Sequence, residues 1–119
     1  MPTSKRKLLG NHGEAAAAEF LRQKGYQIIA TNWRSSVGEF DLIAQQNEVL
    51  VFVEVKTRRG GLDSALESIT PRKRAILERL AYIYMDEHGI ETDWRIDVIA
   101  VSGSQGKPTI EHIENAFDW

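Results

Sequence analysis

Apolar positions along the chain change period several times, and each change marks an element. Glu14, Ala17, Ala18 and Leu21 recur at helical spacing and share a face. They predict a first helix from Asn11, a capping residue, to about Lys24, with Gly25 as its stop. The alanine run lets this helix sit close to whatever it packs on. Tyr26–Arg34 is rich in β-branched and aromatic residues and reads as a strand. Ser35–Gly38 is a turn, Glu39–Gln45 a second strand, Gln46–Glu48 a tight connection and Val49–Thr57 a third strand. The run VLVFVEV is apolar on nearly both faces, the mark of a central strand covered on both sides. Residues 58–70, with Gly60 and Gly61, read as a mobile loop.

Thr70 caps a second helix with Pro71 in its first position. Ile76, Leu77, Leu80, Ile83 and Tyr84 form its buried stripe, and it ends near Gly89. Trp94–Ser102 is a fourth strand, and Thr109–Ile113 adds a short edge strand after a turn. The order is αβββαβ, an α/β domain with a mixed sheet. Residues 1–10 read as a flexible basic arm and residues 11–119 as one domain.

Composition narrows the chemistry. With 119 residues, 42% of them hydrophobic, the chain can bury one ordinary core. It has no cysteine, which removes disulfides, thiolate catalysis, cysteine-held zinc and iron–sulfur clusters. The basic start is not followed by an apolar stretch, so it does not read as a signal peptide. No apolar run approaches the ~20 residues that span a bilayer. These features fit a soluble, cytoplasmic protein without a membrane partner. The net charge of −2 does not favour nucleic acid; local basic clusters can hold phosphate, and ordinary solvated charge accounts for any one of them equally well. Basic residues cluster at Lys5–Lys7, at Arg58 and Arg59, and at Arg72–Arg74 with Arg79. Arg34, Arg58, Lys73 and Arg74 are the candidate phosphate contacts.

The chemistry-bearing residues lie on the second and third strands. Alternation puts Glu54 and Lys56 on one face of the third strand and Val53 and Val55 on the other. An even-length hairpin loop would place Asp41 on the Glu54 face. Carboxylates in a central strand are costly to desolvate unless paired or bound to a cation. A divalent ion resolves the repulsion between two of them, and oxygen ligands suit magnesium or manganese. Lys56 would then orient a water or neutralise developing charge. On spacing alone, an ordinary Glu54–Lys56 ion pair with Asp41 capping a turn accounts for these residues equally well. Glu39 points toward the Asp41 face, Trp33 suits the core, Asp97 suits an arginine partner, and His88 and His112 read as surface residues.

GEFDLIA (Gly38–Ala44) followed by VFVEVKTR (Val51–Arg58) resembles the PD-(D/E)xK signature of restriction-endonuclease-like nucleases. Asp41 matches the isolated acid and Glu54-Val55-Lys56 the ExK tripeptide, with Phe40 in place of the proline. More closely, the chain resembles the YraN-like family of small bacterial proteins, related to Holliday-junction resolvases. The shared features are Gly10–Glu14, Asn32-Trp33-Arg34, the two segments above, the Pro71–Lys73 helix start and Arg95–Ile99. The resemblance implies a restriction-endonuclease-like αβββαβ core, its central mixed sheet flanked by helices. It implies a magnesium or manganese ion held by Asp41, Glu54 and the Val55 carbonyl, and it adds Glu14 to the site as a helical acid. It implies a metal-dependent nuclease acting on DNA, branched or damaged, and working as a homodimer. The alternatives are a nucleic-acid-binding protein without turnover and a protein-interaction scaffold.

Overall fold

The structure, a computed structural model, describes residues 5–57, 61–103 and 108–117, with side chains from residue 13 in the first helix and residue 62 in the second. The elements are α1 (Lys5–Gln23), β1 (Gln27–Arg34), β2 (Glu39–Gln46), β3 (Val49–Thr57), α2 (Gly61–Glu67), α3 (Pro71–Glu87), β4 (Trp94–Ser102) and β5 (Thr109–Ile113). One five-stranded sheet has the order β1-β2-β3-β4-β5. β3 and β4 are parallel, because α2 and α3 cross over between them, and the other pairs are antiparallel. The mixed α/β sheet and its αβββαβ core are as the sequence reads, with α2 added before α3.

Burial on both faces explains the apolar run of β3. Val51 and Val53 pack with Leu42, Ala44, Ile99 and Val101 under Ala17, Ala18 and Leu21 of α1. Leu50 and Phe52 pack on the opposite face with Phe40, Ile43, Ile96 and Val98 under Leu77, Leu80 and Tyr84 of α3. Phe52 stacks on Phe40 at 4.7 Å between centroids. Trp33 belongs to this core, edge-on to Tyr84 at 5.2 Å.

Helix α1 stops at Gly25 for a geometric reason. The Gly25 N–H donates to Arg22 O at 2.9 Å and the Tyr26 N–H to Leu21 O at 3.0 Å, with Gly25 at φ +92°. Nothing crowds a Cβ at this position, so the cost of a side chain is purely conformational. Gly25→Ala should therefore lower stability by about 1 kcal/mol in urea denaturation.

Two elements differ from the sequence reading. Helix α1 begins at Lys5, not at Asn11, so residues 5–10 are helical; residues 1–4 lie outside those described. Lys5, Arg6, Lys7, Leu8 and Leu9 are good helix formers, and an isolated Gly10 costs only about 1 kcal/mol. Part of the segment read as a loop is α2. Ala65 is fully buried and Leu66 packs on the α3 side. The glycine pair masked a helix too short to show a period. Among the described residues, no helix is long and apolar enough to cross a membrane.

Candidate functional site

The site forms where β2 stops pairing with β3. A turn at Asn47-Glu48 sets the register, with Asn47 at φ +54°. Pairing runs from Gln46↔Val49 to Leu42↔Val53, so the next position sets Asp41 beside Glu54, as the even-length loop requires. The ladder ends there, and Asp41 Oδ2 accepts a hydrogen bond from the Val55 N–H at 2.7 Å. The strand also breaks strict alternation at this point. Phe40 lies in the α3-side core and Leu42, two residues on, in the α1-side core. The matching irregularity in β1 is Asn32, flanked by the pairs Thr31↔Leu42 and Trp33↔Phe40 and held at φ +51°. Its side chain interacts with Glu14 and draws that carboxyl's pKa down.

Helix α1 supplies Glu14 by approaching β3 closely at Gly13. A Cβ there would collide with Thr57 Oγ1, so only glycine permits this spacing without a shift of the threonine. Asp41 acts electrostatically on both Glu14 and Glu54 and raises the pKa of each. Asp41 on β2 therefore stands between Glu14 of α1 and Glu54 of β3, acting on each.

Their electrostatics are unfavourable as they stand. Glu54 is only 4% exposed. Burial, then the hydrogen bond to Asp41 and its charge, push its pKa up to about 8, against the pull of Lys73 and Lys56. Burial and the charge of Asp41 also raise Glu14, opposed by the Asn32 hydrogen bond. Glu54 Oε2 is buried without a hydrogen-bond partner. Lys73 Nζ lies 3.5 Å from that oxygen, an ion-pair contact that lacks hydrogen-bond geometry. For a carboxyl raised on folding, the stabilising contribution is complete below its unfolded value near 4.5 and is lost as pH rises through about 8. Metal-free protein should become less stable between those limits, and Glu54→Gln should flatten that slope in denaturation midpoints measured from pH 5 to 9.

Of the residues singled out in the sequence, Asp41 acts on Glu14 and on Glu54, and Val55 is tied to Asp41 through its N–H. Lys56 makes no hydrogen bond or ion pair among the described residues, although its charge acts on Glu54. Lys73, read as a phosphate contact, reaches Glu54 instead. Arg34 pairs with Glu39 at 2.9 Å while remaining 73% exposed. The Arg74 guanidinium donates to Phe117 O at 2.9 Å and lies over that ring, so it ties the C-terminal turn to α3. Arg58 and Arg59 lie outside the described residues, as do the side chains of Lys5–Lys7. Among the described residues, no group of three or more acidic, histidine or cysteine side chains is arranged to hold a metal ion. An open cleft of about 400 Å³ leads away from Glu14 between α1 and β1, lined by Ala15, Ala18, Arg22, Thr31, Asn32 and Leu42.

A second polar cluster lies on the α1 side of β4. Asp97 is fully buried and accepts from Arg95 Nε at 3.0 Å and from the Asn115 N–H at 2.9 Å. His112 Nε2 lies 2.8 Å from Asp97 Oδ2, and its Nδ1 lies 2.9 Å from Lys24 Nζ. An ammonium only donates, so Nδ1 accepts and Nε2–H donates to Asp97. Arg95 also donates to Tyr26 at 2.7 Å and Gln46 at 3.1 Å. The arginine partner of Asp97 is as the sequence reads. His112 is not a surface residue: its side chain is 3% exposed, because β5 folds its ring against Phe20 and Tyr26.

Fold and site together define an α/β protein whose mixed five-stranded sheet carries a carboxyl cluster at the break between β2 and β3. The chain belongs to the Uncharacterised protein family UPF0102, whose model matches residues 13–101, a span that includes Glu14, Asp41, Glu54, Lys56 and Lys73. This is the YraN-like family of the sequence resemblance. The chain is 47% identical to a UPF0102 protein of Herpetosiphon aurantiacus over 92% of its length and 93% of the relative. It is 46% identical to one of Roseiflexus castenholzii over 98% of each chain, and 50% identical to one of Chloroflexus aurantiacus over 90% and 88%.

Proposed function

We propose that this protein is a magnesium- or manganese-dependent nuclease that cleaves phosphodiesters in DNA, with branched or damaged DNA as its substrate and the cytoplasm as its setting. The observation that carries the reading is Glu54: a buried carboxyl set against Asp41, whose Oε2 has no hydrogen bond and is met by only a single ion-pair contact from Lys73 at 3.5 Å. A fold keeps such a group at a cost, and a divalent cation would remove that cost. The donor set fits a hard ion: the Asp41 and Glu54 carboxylates, with the Val55 carbonyl between Glu54 and Lys56 in sequence. When bound, the ion would supply Lewis acidity at the phosphate and lower the pKa of a bound water.

This chain's own residues have separable tasks in that reading. The Val55 N–H fixes one Asp41 oxygen, and the other would face the ion. Glu14, held by Asn32, takes a proton from water or helps to hold the ion. Lys56, without a partner among the described residues, neutralises charge on the phosphate in flight. Arg34, exposed beside the site strands, contacts the flanking backbone.

Incubation of the purified protein with branched, nicked and single-stranded DNA, with magnesium, manganese or chelator, tests the proposal. Cleavage that depends on the ion and is lost in chelator supports it. Salt-sensitive DNA binding without cleavage on any substrate would instead make the protein a binding module. Absence of both cleavage and binding would leave the scaffold reading.

A further inference from the structure

Two lysines act on Glu54, and the closer contact is not the lysine of the ExK tripeptide. Lys73 Nζ reaches Glu54 Oε2 from α3 at 3.5 Å, whereas Lys56 makes no ion pair among the described residues. Its placement is built into the fold. Thr70 caps α3 and accepts from the Lys73 N–H at 3.1 Å, while Pro71 fixes the first helical residue. The first turn of α3 therefore holds the root of the Lys73 side chain. The oxygen it reaches is buried and has no hydrogen bond.

From this geometry we infer that Lys73 is a positioning residue for Glu54: its ammonium holds the buried carboxyl oxygen and thereby sets the carboxylate as a cation ligand, leaving Lys56 to serve the substrate. The inference rests on the nuclease reading and divides its two lysines by task. Lys73 acts through Glu54 and does not touch the reacting atoms. If it is removed, Glu54 keeps its burial but loses its nearest positive charge, and its carboxylate is no longer anchored from behind. If Lys56 is removed, the Glu54–Lys73 contact remains.

The test is manganese binding followed by electron paramagnetic resonance, with thermal unfolding measured with and without manganese. Lys73→Met should weaken manganese binding at least about tenfold, and Lys73→Arg should restore most of it. Lys56→Met should stay within about threefold of the original chain in binding while losing cleavage. The manganese-induced rise in melting temperature should vanish in Lys73→Met and persist in Lys56→Met. A merely structural lysine would lower the melting temperature equally with and without manganese, and that result would overturn the inference. So would equal manganese affinity in Lys73→Met and the original chain. Failure of the original chain to bind manganese would overturn the nuclease reading and this inference with it.

Discussion

Replacing Asp41 by Asn, or Glu54 by Gln, should abolish ion-dependent DNA cleavage while leaving the fold intact. Each change removes charge from an oxygen pair without altering its shape, and the expected loss is at least about 100-fold in rate. Asp41→Asn keeps an oxygen for the Val55 N–H, so the end of the β2–β3 ladder survives. Glu54→Gln replaces a buried carboxyl raised to about 8 by a neutral amide, so metal-free stability at pH 8 and above should be equal or higher. Loss of function with retained or increased stability separates a site built for a ligand from one built for the fold. Single-turnover cleavage and urea denaturation, run on the same preparations, supply the two halves. Cleavage unchanged in both variants would mean that the activity belongs to a contaminant or to other residues.

Asp97 should behave in the opposite way. Asp97→Ala leaves Arg95, His112 and the Asn115 N–H without their shared acceptor in a buried setting. Breaking such a pair from one side costs about 3–5 kcal/mol, a large part of the stability of a domain this size. Burial alone would raise the Asp97 carboxyl, but hydrogen bonds from His112, Arg95 and Asn115 outweigh it and hold the pKa below its ordinary value. For a depressed carboxyl the contribution is complete above the unfolded value near 3.8 and is lost as pH falls through the lower, folded value. The original chain should therefore lose stability in acid, below about pH 4, and Asp97→Ala should lose less over the same range. Urea midpoints from pH 2.5 to 7 would show it. A cost under about 1 kcal/mol at pH 7 would mean that the cluster is decoration on the sheet.

What was legible in the sequence was whatever a short window encodes. β3, β4 and β5 carry the limits read from their apolar runs because turn residues bound them on both sides. Thr70-Pro71 announced the start of α3 for the same reason. The meeting of Asp41 and Glu54 needed an even-length hairpin loop; the three-residue connection read at Gln46–Glu48 is two residues, because Gln46 still pairs with Val49. What was hidden depends on packing between distant elements. Nothing near Lys73 says that α3 aims its side chain at β3. Nothing near His112 says that α1 will cover an edge strand. Asn32 did carry a signal, since asparagine within a strand is the residue type that tolerates left-handed backbone, but its partner Glu14 lies on another element. Gly13 likewise marks a close approach whose other side, Thr57, is visible only in the fold.

Calorimetric titration of manganese into the original chain and into Asp41→Asn tests the cation site most directly, with no substrate involved. The expected result is saturable uptake near one ion per chain in the first and loss of that uptake in the second, with both proteins folded by circular dichroism. Equal heats in the two proteins, or none in either, would contradict it.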